Sequence, residues 1–412
     1  MKISDVQALE ILDSRGNPTI RAFVTLKDKS VHAASVPSGA STGTYEALEM
    51  RDNDPKRYAG KGVLSAATNI NTVIRDAILD KEADPKEIDR IMIELDGTEN
   101  KDKLGANAIL SVSLAVARGA AHAKKIPLWK FLNTHYFTTE PHFPRLMVNV
   151  INGGVHANWN FDIQEFMIVP NATTPSESIR VASEIYHSLK KLLKEKKLST
   201  LVGDEGGYSP QLKSNTEPFE VILEAAERIG YENVTDFRFS IDAAASEFYT
   251  DKGYHLRMNP EIFNAQDLTN YYAEIGQQFK ILSFEDAFAE DDWDAFIHFE
   301  KMAEKFQFIS IGDDLFTTNP TRIGRGIKEK AANGVLIKLN QIGTVSQTAD
   351  AINMAKKAGF VVAISHRSGE TEDNFIADLA YSCGADFLKS GSMSRSERLS
   401  KYNRLLEIEC NL

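Results

Sequence analysis

Six short apolar runs in the second half of this 412-residue chain end in a polar or charged residue. They are FRFSID (Asp242), KILSFED (Glu285), FISIGDD (Asp313), GVLIKLN (Lys338), FVVAISH (His366) and DFLKSG (Lys389). If these runs are neighbouring strands, three carboxylates meet at one edge. At about 4 Å and an effective dielectric near 20, each pair repels by roughly 4 kcal/mol. Either some are protonated or a divalent cation lies between them. Oxygen-only ligation favours Mg²⁺ over Zn²⁺. A salt-bridge network with Lys338 and Lys389 is the plainer alternative. Lys338 sits within the apolar VLIKLN, a position that suits a proton-abstracting base. Such a base must be neutral part of the time; lowering its pKa by about 3 units corresponds to roughly 4 kcal/mol. A metal ion, a second lysine and partial burial would supply that together. Glu205, flanked by glycines in GDEGGYSP, is the candidate acid, because an elimination needs both partners. Gln164 and Glu165 in DIQEF add polar groups. SGASTG, with Ser41, is a loop of small residues able to wrap a phosphate, although no Walker motif follows. NGGVHA carries His156, and SHRSGE places Arg367 and Ser368 side by side, which suits phosphate or carboxylate oxygens.

The elements that must position these groups are legible as well. Eight apolar runs, beginning with LMVNVIN and FMIVP, span the region after residue 135, and the last six alternate with helix-length segments. That is the pattern of βα units in a barrel, with active groups at the carboxyl ends of the strands. The loop between the first two runs is too short for a crossover helix, so these should pair antiparallel. Two helical segments then precede the third run. The expected fold is α/β: an irregular (β/α)₈ barrel of order ββαα(βα)₆ over residues 136–412, behind a smaller α+β domain over residues 1–135. In that first domain VQALEILDS and TIRAFVTLKD alternate like half-buried strands, with RGNP as a turn. Ser65 to Leu95 reads as two helical pieces broken near Asp84-Pro85, and GANAILSVSLAVAR as a helix packed closely on a sheet.

Composition narrows the function classes. The net charge is −11 and the sequence pI about 5.4, which argues against a nucleic-acid surface. Two cysteines, Cys383 and Cys410, form no framework or metal motif. No apolar run approaches a membrane span, and charges interrupt the first residues where a signal core would lie. A cytoplasmic small-molecule enzyme is expected. The basic run from Lys190 to Lys197 reads as a solvated helix face.

Taken together, LDSRGNPT, VPSGASTG, GANAILSVSLAVAR, QEFMI, GDEGG, GDDLFTTNP, IKLNQIGT, SHRSGETED and RSERLSKYN resemble the enolase family over nearly the whole chain. The resemblance implies reversible dehydration of 2-phosphoglycerate to phosphoenolpyruvate. It implies Lys338 as the base at C2 and Glu205 as the acid at the C3 hydroxyl. It implies one Mg²⁺ on Asp242, Glu285 and Asp313, and a second entering with substrate at Ser41. Arg367 and Ser368 then match the phosphate contacts and Lys389 the carboxylate contact; Gln164, Glu165 and His156 match the remaining positions. Enolase-superfamily sites are a standing example of a Lys or His base working with one or two Mg²⁺ ions. A homodimer, or a higher assembly of dimers, is also implied. Arg21 and Glu407 stand where the family often has an acid and an arginine, so an intersubunit pair of reversed sign is expected. Trp159, in HANWN, departs from the family's small or polar residue and puts the loop's motion in question. Two alternatives stand beside this reading: a superfamily enzyme acting on a non-phosphorylated acid, and a surface or scaffold role beside catalysis.

Overall fold

The computed structural model describes residues 1–39, 43–259 and 261–411. Ile3–Leu12, Pro18–Leu26 and Val31–Ser35 form an antiparallel sheet in that order. In the middle strand Ile20, Ala22, Val24 and Leu26 face the core, as the alternation requires. RGNP closes the first turn, with Gly16 at φ 74°. The third strand is too short for its pattern to show a period, and sequence reading does not single it out.

A helix through residues 64–78 widens to π geometry at Ile70–Ile74. The break near Asp84-Pro85 is the start of the next helix, Pro85–Asp96. Asp84 accepts hydrogen bonds from the N–H groups of Lys86 and Glu87, proline fills the first turn, and Gly97 ends the helix in the left-handed region. Ala106–Lys124 is buried along almost its full length. Its small residues allow the close approach to the sheet: a Cβ on Gly119 would lie 3.3 Å from the His32 ring.

Eight strands then close a barrel in chain order. They are Arg145–Asn152, Glu165–Pro170, Phe237–Asp242, Ile281–Glu285, Ile309–Gly312, Gly334–Ile337, Val361–Ser365 and Phe387–Lys389. Every expected run is a strand. Glu165–Pro170 runs antiparallel to both neighbours, and the remaining pairs are parallel. The two helices expected before the third strand are Pro175–Glu195 and Glu217–Glu227. Met147, Met167, Val169, Leu282, Ile311, Leu336, Ala363 and Phe387 form an apolar cluster separate from the main core. With one or two contributed by nearly every strand, they plug the barrel interior and leave its carboxyl end to polar groups.

The N-terminal region docks on the barrel through buried polar contacts. The Arg118 guanidinium is bidentate on Asp373, at 2.7 and 2.8 Å. Asp89 accepts from the backbone N–H and hydroxyl of Ser346, at 3.0 and 2.7 Å. Burial pushes the Asp89 carboxyl up to about 6, against the hydrogen bonds from Ser113 and Ser346. A carboxyl raised on folding stabilises below its unfolded pKa and loses that contribution as pH rises through the folded value. Asp89→Asn, neutral at all pH, should therefore gain on the wild type by about 2 kcal/mol between pH 4 and pH 7. Unfolding measured across that range checks this; a difference flat with pH would show Asp89 ionised throughout.

Candidate active site

Strand reversal explains how Glu165 reaches the site. Because its strand runs opposite to the other seven, its first residue lies at the barrel end where theirs finish. Glu165 pairs in register with Asp242, and Asp242 with Glu285. A cavity opens there. His156, Gln164, Glu165, Glu205, Asp242, Asp313, Lys338, His366, Arg367, Ser368 and Lys389 all line it. Glu285 lies just beneath, fully buried. Ser41 lies outside the described residues. Gly43, shortly after it, approaches the cavity mouth: a Cβ there would be 3.4 Å from Asp314.

Two lysines divide the acids between them. Lys389 Nζ is 2.8 Å from both Glu285 oxygens and 3.2 Å from Asp242 Oδ2 and Glu165 Oε2. Burial alone would lower its pKa; Asp242, Glu165 and Glu285 outweigh that and hold the ammonium well above the usual lysine range. Lys338 Nζ donates to Asp313 Oδ2. Here too burial would lower the lysine, but the pairing with Asp313 prevails over burial and over nearby Arg367, and raises it. In this arrangement Asp313 pairs with Lys338 and favours its ammonium, so acting as a base requires that pairing to be relieved, as a cation on the Asp313 oxygens would do. The ion pairs of Lys389 with Glu165, Asp242 and Glu285 and of Lys338 with Asp313 make up the salt-bridge network, and Arg367 is the cation that most opposes the charge on Lys338.

Asp313 is oriented by groups that sequence reading did not select. Gln341 Nε2 donates to its Oδ1 at 3.0 Å, and Thr318 donates to Gln341 Oε1 at 2.6 Å. Thr318 also accepts from the Lys338 N–H at 2.9 Å. Thr317 and Thr318 take left-handed backbone, φ 46° and 54°, a costly conformation for β-branched residues that gathers at functional sites. Asp286 holds the same turn, accepting from the Asp313 and Asp314 N–H groups at 2.8 Å each. Burial and nearby Asp313 push Asp314 up to about 7, against Lys338.

Glu205 occupies the other side. Asn149 Nδ2 donates to its Oε2 at 3.0 Å, and His156 Nδ1 and His366 Nε2 each stand 3.7 Å from its Oε1. Against burial, His156, His366 and Lys389 hold the Glu205 carboxyl well below the ordinary range. Burial and then Glu205 push Glu165 well above it, opposed by Lys389. Arg367 is braced by Glu46 at 2.8 and 3.2 Å and by Asn340 at 3.0 Å, and Arg15 reaches Ser368 Oγ at 3.4 Å. Glu46 falls within the stretch after SGASTG, so its signal was proximity in sequence to a loop already singled out. Asn149, inside an apolar strand, carried none. Arg257 stacks on the Trp159 ring at 3.8 Å, so the unusual tryptophan has a partner.

Seven carboxylates line the cavity against Lys338, Arg367 and Lys389. That surplus of four acids is what protons or two divalent cations would offset. Among the described residues, Asp286, Asp313 and Asp314 bring ligand atoms within 4.8 Å of one another, as do His156, Glu165 and Glu205. Asp242, Glu285 and Asp313 are not among these groups; Lys389 holds Asp242 and Glu285, and Lys338 holds Asp313. Asp242, Glu285 and Asp313 offer only oxygen atoms, the donor chemistry a hard cation takes, and such a cation would compete with the lysines for the same atoms. Removing one partner of a buried pair leaves uncompensated charge. Lys389→Met should therefore lose about 3–5 kcal/mol of stability in EDTA, with part of the loss recovered in Mg²⁺. Calorimetry in the two buffers checks this; an unchanged midpoint in EDTA would show that protons, not Lys389, neutralise these acids.

Among the described residues no helix is long and apolar enough to cross a membrane. Residues 3–132 match the family model of the enolase N-terminal domain. Residues 141–412 match that of the enolase C-terminal TIM barrel domain. With both models matched in order along one chain, and with the barrel and its acidic rim in place, the chain belongs to the enolase family.

Proposed function

We propose that the chain is a phosphopyruvate hydratase, a carbon–oxygen lyase that reversibly dehydrates 2-phosphoglycerate to phosphoenolpyruvate. One observation carries this reading: Lys338, the Glu165–Glu205 pair and the Arg367–Ser368 pair line the same cavity. Lys338 Nζ takes the C2 proton of the substrate. The C2–H electron pair is first left on C2 and delocalised into the carboxylate; it then becomes the C2–C3 double bond as the C3–O bond breaks and the hydroxyl leaves as water with a proton from the Glu165–Glu205 pair, Glu205 acting as the acid. Arg367, held rigid by Glu46 and Asn340, and Ser368 receive the phosphate. Lys389 faces the substrate carboxylate, and His156 and Gln164 complete the wall. Asp242, Glu285 and Asp313 would hold one Mg²⁺ and Ser41 a second. Bound there, the ions would neutralise charge building on the substrate carboxylate.

The same reading places the enzyme in glycolysis and gluconeogenesis, in the cytoplasm, as a homodimer or a higher assembly of dimers, with the domain division at residue 135/136. Within the chain Arg21 pairs with Glu372 and Glu407 with Arg404, so an Arg21–Glu407 contact between subunits must compete with these. Arg21→Glu should weaken the dimer more than Arg21→Glu combined with Glu407→Arg; equal dissociation constants by ultracentrifugation would remove that contact.

Absorbance of phosphoenolpyruvate formed from 2-phosphoglycerate tests the central reading. Activity should require Mg²⁺, vanish in EDTA, and fall by about 10²–10⁴-fold in Lys338→Ala and in Glu205→Gln. A folded, Mg²⁺-loaded wild type without activity would turn the assignment toward a non-phosphorylated acid.

A further inference from the structure

Four consecutive backbone carbonyls around Glu205 are taken by one distant segment, Ser392–Arg398. Arg395 Nε donates to Gly203 O at 3.1 Å. An Arg398 guanidinium nitrogen donates to Asp204 O at 3.0 Å. The Ser392 N–H donates to Glu205 O at 2.9 Å. Ser394 Oγ donates to Gly206 O at 2.8 Å. The two segments lie backbone against backbone, and glycines make that possible. A Cβ on Gly206 would meet Ser394 O at 2.8 Å, and one on Gly391 would meet Glu205 O at 2.6 Å. Arg395 holds φ 70° and ψ 123°, outside the regions open to ordinary residues. Such strain persists where surrounding contacts over-determine it, and it gathers at functional sites.

Arg398 extends the clamp across the cavity. It is completely buried. Beyond Asp204 O it donates to Arg367 O and Ser368 O, each at 2.6 Å, and lies 2.6 Å from His366 Nδ1. A guanidinium has only donors, so Nδ1 must accept and the ring proton sits on Nε2. That N–H faces Glu205 Oε1 at 3.7 Å. One arginine therefore ties the acid loop to the phosphate-contact loop and chooses the imidazole tautomer between them.

We propose that Arg395 and Arg398 are positioning residues for the acid half of the reaction: Arg395 holds the Glu205 loop alone, and Arg398 holds it together with His366, Arg367 and Ser368. The inference rests on the lyase reading above. In that reading the base half, removal of the C2 proton by Lys338, is separable from loss of the C3 hydroxyl.

The test measures both halves. Dehydration of 2-phosphoglycerate is followed by absorbance, and deuterium uptake at C2 of the same substrate in D₂O by NMR. Arg395→Ala should lower kcat for dehydration by about 10- to 100-fold, with KM and C2 exchange near wild type, and Arg395→Lys should restore most of it. Arg398→Lys should lower kcat and also raise KM, because the phosphate-contact carbonyls lose their donor. If that buried substitution unfolds the protein, the half-exposed Arg395 variants carry the test. A wild type that performs neither half overturns the lyase reading and this proposal with it. An active wild type in which Arg395→Ala lowers dehydration and exchange equally, or changes neither, overturns the proposal alone.

Discussion

Crowded negative charge at the carboxyl end of the barrel is the condition the site is organised around. Neighbouring strands bring Glu165, Asp242, Glu285 and Asp313 to one rim, where burial strengthens every repulsion. Two lysines are threaded into this cluster, each bound to specific oxygens. Asp286 is tied by the backbone N–H groups of the next strand's loop. Backbone strain at Thr317 and Thr318 places the hydroxyl that orients Gln341, and through it Asp313. These features hold buried carboxylates together at the rim of the barrel.

The opposite wall solves a different problem. Glu205 sits on a loop, and a loop positions a side chain poorly unless its backbone is held. Four carbonyls bound by the Ser392–Arg398 segment supply that hold, and Asn149 fixes the carboxylate from below. The Arg367–Ser368 side is similarly braced, with Glu46 of the N-terminal region gripping Arg367. The small first domain is thus part of the site's scaffold, and Arg118 and Asp89 keep it seated on the barrel.

Much of this was legible beforehand because it is written locally. Alternating apolar runs give strands, their spacing gives βα units, and a short first connection gives the antiparallel start. Charged residues at strand ends mark the rim, since a charge there is placed by the strand's own direction. Lys338 and Asp313 stood out for that reason. Asn149, Gln341 and Thr318 did not: each is an ordinary polar residue whose importance lies in one contact with a residue far along the chain. Arg398 lay in a motif already noted, but nothing in a helix sequence says that its guanidinium will be fully buried.

The order of elements, the placement of the acids and the identity of the candidate base and acid follow from the sequence alone, because backbone periodicity and residue chemistry are local. Which oxygen each lysine holds, the pairing of Lys338 with Asp313, the closeness of Glu165 and Glu205, and the tautomer of His366 are decided only in the tertiary structure. They depend on distances of a few ångströms between groups that closure of the barrel brings together, and Coulomb energy and hydrogen-bond geometry both vary steeply over that range.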